Sequence, residues 1–141
     1  MKRIIHVVSI SAPRDKVFAA ITTEKGLSSW WTTKVAVSER VGGEVRFTFL
    51  DDFNPVMQVL SMRENERVEW KCTAGHDPWA DNTFSFRLKD VGGRTQLTFT
   101  QDYAKELSDE AYGNYNYNWG YYLVSLKQYC ETGRGKPFAV K

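Results

Sequence analysis

The chain has 141 residues, 42% hydrophobic and 26% charged, a globular composition that excludes a disordered chain and favours one domain over residues 1–141. Nineteen basic residues against 17 acidic ones leave a net charge of +2, too small for a dedicated nucleic-acid binder. No apolar run approaches the roughly 18 residues of a membrane helix, whereas five Trp, seven Tyr and eight Phe exceed what a core of this size needs.

The amino terminus, residues 3–11, is rich in Ile and Val with polar interruptions and predicts a strand. Lys2 and Arg3 imitate the start of a signal peptide, but His6 breaks a short apolar stretch and no small-residue cleavage site follows. A cytoplasmic chain is therefore expected. Pro13 suits a first helical turn, with Ser11 or Ala12 at the cap. Val17, Phe18, Ala20 and Ile21 fall on one helical face, and Thr22 to Gly26 reads as the break before a second short helical turn from Leu27 to Trp30.

From Val35 to Gln101 the period changes to two. Val45, Phe47 and Phe49 alternate with polar partners, as do Met57 and Val59, then Val68, Trp70 and Cys72, then Phe84, Phe86 and Leu88, then Leu97 and Phe99. The pattern predicts an antiparallel sheet with one apolar and one wet face. Gly42-Gly43 and Asp90 to Gly93 supply hairpin turns. From about Ser108 the period returns to helical: Trp119, Tyr122, Leu123, Leu126, Tyr129 and Cys130 form one stripe, and Gly133 followed by Pro137 ends it. Gly113 and Gly120 weaken the early part. There Tyr112, Tyr115 and Tyr117 interleave with Asn114, Asn116 and Asn118 at period two, which predicts an extended or irregular start that closes one end of a cavity or forms a dimer contact. The fold class is α+β: a curved antiparallel sheet of about six to seven strands, wrapped on a long C-terminal helix, with two short helices after the first strand.

Ser11-Ala12-Pro13-Arg14-Asp15-Lys16-Val17-Phe18 resembles the opening motif of the START-like (SRPBCC, helix-grip) superfamily. The double tryptophan of Leu27 to Trp31, Val41 to Phe47, Arg67 to Trp70, Gly92 to Phe99 and Trp119-Gly120 resemble its activator-of-heat-shock-ATPase homologue branch. The resemblance covers nearly the whole chain. It implies a pocket between the long helix and the sheet, and ligand binding or a chaperone-associated role rather than a defined catalysis.

The candidate ligand-binding residues are Trp30, Trp31, Phe47, Phe49, Met57, Trp70, His76, Trp79, Phe84, Phe86, Phe99, Trp119, Tyr122, Leu123 and Leu126. In a hollow interior they line an apolar pocket for a small hydrophobic molecule such as a lipid or an aromatic compound; in a solid one they are simply core. His76, Tyr122 and, least of all, the wet-face Arg46 are candidates for orienting a ligand. His76-Asp77-Pro78-Trp79 reads either as a solvated hairpin loop or as a general base, His76, oriented by Asp77 or Asp81. Two His and the separated Cys72 and Cys130 do not make a zinc site; the cysteines are compatible with a disulfide or with two free buried thiols, the latter being expected of a cytoplasmic chain. No catalytic residue, metal or cofactor is expected. The expected partners are a small hydrophobic molecule and a chaperone contact, with no nucleic acid and no membrane span, in a monomer or a homodimer. A cyclase- or hydrolase-like enzyme using the same cavity is the remaining alternative.

Overall fold

The computed structural model describes residues 2–141. Strand β1 (Arg3–Ile10) is followed by α1 (Arg14–Thr22) and α2 (Glu24–Trp30). Six strands come next: β2 (Lys34–Val37), β3 (Glu44–Thr48), β4 (Val56–Arg63), β5 (Arg67–Ala74), β6 (Thr83–Val91) and β7 (Arg94–Asp102). The helix α3 (Asp109–Thr132) closes the order. All neighbouring strands pair antiparallel in one seven-stranded sheet, β1-β7-β6-β5-β4-β3-β2.

Alternation sets the register. Phe84 pairs with Trp70, Phe86 with Val68 and Phe99, and Leu88 with Leu97, so one sheet face is continuously apolar. That face buries Phe47, Met57, Trp70, Phe84, Phe86 and Phe99 completely or nearly so. It is covered by the stripe Trp119, Leu123, Leu126 and Cys130 of α3, all buried. Burial of this kind, at about 25 cal/mol per Å² of apolar surface, is the main force holding helix to sheet.

Three local expectations are corrected. The first helix is capped by Pro13, with no side-chain cap bond, because the proline's fixed φ already presets the turn. The break between α1 and α2 is the single residue Thr23, whose hydroxyl accepts from the Gly26 N–H at 3.0 Å. Gly26 lies inside α2, where a Cβ would stand 2.5 Å from the Ala19 carbonyl; the glycine permits close approach of the two helices rather than a turn. The tyrosine-rich segment is regular helix from Asp109 onward, capped by the Ser108 hydroxyl, which accepts from the Ala111 N–H at 3.2 Å. Its period-two look arises because aromatic residues occupy both sides: Tyr112, Tyr115 and Trp119 turn inward, whereas Tyr117 and Tyr121 are exposed. Both cysteines are free and buried.

The carboxy-terminal tail docks on the end of α2. Phe138 donates its N–H to the Trp31 carbonyl at 2.8 Å and accepts from the Thr33 N–H at 2.9 Å. The Ser125 hydroxyl donates to the Trp30 carbonyl at 2.8 Å and accepts from the Lys136 N–H at 2.6 Å. The tail thereby fixes the backbone on either side of Trp31.

Candidate functional site

Three segments converge on the first half of α3. Gly75, at φ +89°, ends β5, and a short 3-10 turn, Asp77–Trp79, follows. The β3–β4 connection is held by Asn54, whose side-chain oxygen accepts from the Phe49 N–H at 2.8 Å and whose N–H donates to the Gly75 carbonyl at 3.0 Å. The carboxy end of α2 supplies Trp31, and the first half of α3 crosses above. Between them lies a cavity of about 330 Å³, lined by Trp31, Phe53, His76, Trp79, Asn114, Tyr115, Asn118, Trp119 and Tyr122.

The floor is backed by three indoles, Trp31, Trp79 and Trp119, each 2% exposed. Trp79 lies near-parallel to Trp119 at 6.1 Å and 14°, and to Trp31 at 6.5 Å and 21°; Trp31 and Trp119 are 5.0 Å apart. Phe53 meets Trp79 edge-on at 5.1 Å. Each ring holds the next, so the floor is rigid. Beneath it the Trp119 N–H donates to the Gln101 side-chain oxygen at 2.8 Å. The Tyr103 hydroxyl lies beside the Trp79 indole N–H without completing a hydrogen bond, and both atoms are buried. Burial pushes the Tyr103 hydroxyl far above the ordinary phenol range.

His76 is half-buried on the wall. Its Nδ1 stands 3.0 Å from the Asp52 carbonyl oxygen and its Nε2 2.7 Å from the Tyr115 hydroxyl. A carbonyl only accepts, so Nδ1 carries the hydrogen; in the neutral ring Nε2 then accepts from Tyr115. Burial, and secondarily the Asp52 charge, raise the Tyr115 hydroxyl above its usual pKa, so it stays a donor further into alkaline pH than a free phenol. The orienting groups are thus Asp52 and Tyr115. The expectation of Asp77 or Asp81 is corrected: Asp77 is exposed and Asp81 pairs with Lys71 at 3.5 Å, since the turn at Trp79 directs both carboxylates outward.

Of the candidate residues, Trp31, His76, Trp79, Trp119 and Tyr122 meet at this cavity. Trp30 does not; it is fully buried, and its indole N–H donates to the Ala20 carbonyl at 2.7 Å. Phe47, Phe49, Met57, Trp70, Phe84, Phe86, Phe99, Leu123 and Leu126 pack in the core behind the floor. Arg46 is exposed and paired with Glu44 at 2.9 Å. Sequence reasoning missed Phe53, which carries no pattern, and did not single out Asn114 and Asn118. Their four-residue spacing to Tyr122 was the available signal, visible once the segment is read as helix. Among the described residues no group of three or more His, Cys, Asp or Glu could hold a metal, and no helix is long and apolar enough to cross a membrane.

Residues 11–131 match the family model described as Activator of Hsp90 ATPase homolog 1-like protein. The chain belongs to this family. Its fold agrees: the solution structure of the Aha1 dimer from Colwellia psychrerythraea is 31% identical, with a TM-score of 0.86 over 96% of this chain and 100% of that one. Protein MLL2253 from Mesorhizobium loti, 19% identical, superposes with a TM-score of 0.77 over 90% of this chain and 95% of its own. CalU16 from Micromonospora echinospora, also 19% identical, gives 0.74 over 93% and 77%. These last two likenesses concern the fold alone. No curated protein sequence matches the chain. The family has the helix-grip architecture, a curled antiparallel sheet closed by its last helix, and the cavity sits where that helix leaves the sheet.

Proposed function

We propose that this family member binds a small hydrophobic or amphipathic molecule in the cavity beneath α3 and performs no bond-making chemistry of its own. One observation carries the reading: the half-buried rings of Phe53, His76, Tyr115 and Tyr122 wall a cavity of about 330 Å³, backed by three packed indoles and edged by the exposed Asn114 and Asn118. That combination gives a ligand an apolar surface to cover and a few groups to orient it. His76 supports binding over catalysis, because its Nε2 already engages Tyr115 and is not free to take a proton from a ligand. A small-fragment titration followed by amide and indole NMR signals tests the reading. Shifts that cluster on the Trp31, Trp79 and Trp119 indole N–H signals are expected. Fragments that shift only residues elsewhere, or none at all, overturn it.

A second reading is favoured by the 31% identity to a protein described as an Aha1 dimer: this chain also forms a homodimer and contacts the ninety-kilodalton heat-shock chaperone. Sedimentation of the purified chain and retention by that chaperone test the two parts separately. A cytoplasmic location and a single domain accompany both readings.

A further inference from the structure

We infer that the cavity selects a flat, non-anionic molecule of one or two rings with a hydrogen-bonding edge, and that Asn114, Asn118 and Tyr122 form the rail that reads this edge. The inference rests on ligand binding at this cavity and narrows it to a chemical class.

Size comes first. A volume of about 330 Å³ lies at the small end of the ~300–1,000 Å³ range of ligand pockets. The space behind the floor is filled: Phe84, Phe99 and Leu123 are at most 1% exposed. A one- or two-ring molecule fits, whereas a long acyl chain would have to displace core.

Charge comes second. Among the described residues lining the cavity, none is Asp, Glu, Lys or Arg. A carboxylate ligand would lose its hydration with no counter-charge to replace it, which is strongly unfavourable. The Asp52 charge, near enough to act on the Tyr115 hydroxyl, opposes an anion further.

The rail comes third. Positions 114, 118 and 122 are four apart on α3 and therefore lie one above another along one line of the helix. Both asparagines are exposed and both line the cavity together with Tyr122. The intervening Asn116 is used structurally, 2.9 Å from His6 Nε2, but no such bond within the described residues occupies the Asn114 and Asn118 amides or the Tyr122 hydroxyl. Each amide offers a donor and an acceptor. They stand beside the half-buried rings of Tyr115 and Tyr122, so a ring packed against those two would bring its edge to the rail.

The test compares 2-naphthol, naphthalene, 2-naphthoate and dodecanoate by NMR titration, on the native chain and on the double variant Asn114→Ala/Asn118→Ala. The substitutions are on an exposed helix surface and put in a better helix former, so folding is retained. For the native chain, 2-naphthol binds about tenfold more tightly than naphthalene or 2-naphthoate, the gain expected of one or two hydrogen bonds, and dodecanoate does not bind. In the double variant the ratio of 2-naphthol to naphthalene affinity falls at least about threefold, the Tyr122 hydroxyl alone remaining on the rail. Naphthalene binding as well as 2-naphthol, 2-naphthoate or dodecanoate matching it, or a double variant indistinguishable from the native chain overturns the inference and leaves ligand binding standing. Failure of all four probes overturns both.

Discussion

The two ring nitrogens of His76 face groups of opposite hydrogen-bonding character, the Asp52 carbonyl and the Tyr115 hydroxyl. A carbonyl can accept but never donate, so the neutral ring is locked with its hydrogen on Nδ1. Imidazole 15N shifts at a pH where the ring is neutral are expected to report that tautomer; the Nε2–H form would show that the Asp52 contact does not govern the ring. Cys130 is buried on the inner stripe of α3. Burial pushes its thiol up from 9.0 to about 12. Between those values the unfolded chain has released a proton that the folded chain still holds. The resulting stability is complete below pH 9.0 and declines as pH rises toward about 12, by about 1.4 kcal/mol per pH unit for one such group. Urea unfolding at stepped alkaline pH is expected to show this decline, with a shallower slope in Cys130→Ala; identical slopes would remove the thiol from the explanation.

Among the elements, the β5–β6 corner decides where His76 and Trp79 stand. Gly75 has φ +89°, and a Cβ there would lie 1.8 Å from the Asn54 carbonyl oxygen. Gly75→Ala is therefore expected to lose at least about 2 kcal/mol through backbone strain and collision, and to perturb His76 and Trp79 signals. Gly93→Ala, at φ +85° with open space around it, is the comparison: it carries the conformational penalty without the collision and leaves the cavity signals in place. Equal losses in the two variants would mean that the close approach is unimportant. The strands themselves were legible in the sequence because each buries one face, so that Val68-Trp70-Cys72 and Phe84-Phe86-Leu88 show their alternation openly. The start of α3 near Ser108 was legible too, but the regularity of its first turns was not, because exposed Tyr117 and Tyr121 break the apolar stripe that marks a helix. The tail after Gly133 was not legible either. Its docking on α2 runs largely through backbone groups, which leave no trace in residue type.

For the molecule as a whole, the sheet-then-helix order and the resemblance led to the observed helix-grip fold. Periodicity told which side chains face inward but carried no information on whether the enclosed volume is filled. The structure shows that it is filled over most of its length, by Phe47, Trp70, Phe84, Phe86 and Phe99 against Leu123 and Leu126. The space that remains is displaced to the end where Trp31, Trp79 and Trp119 form the floor. Five of the fifteen candidate residues therefore reach the cavity, because a solid centre leaves only the ends of the inward-facing set accessible. The proposed ligand binding requires that this remaining space hold a small molecule. Intact-mass spectra of the natively purified chain, under non-denaturing and then denaturing conditions, test it most directly. The expected result is an added mass of a one- or two-ring compound that disappears on denaturation and does not return when Trp119→Ala is purified in the same way. A bare native mass that also stays bare after incubation with 2-naphthol would contradict it.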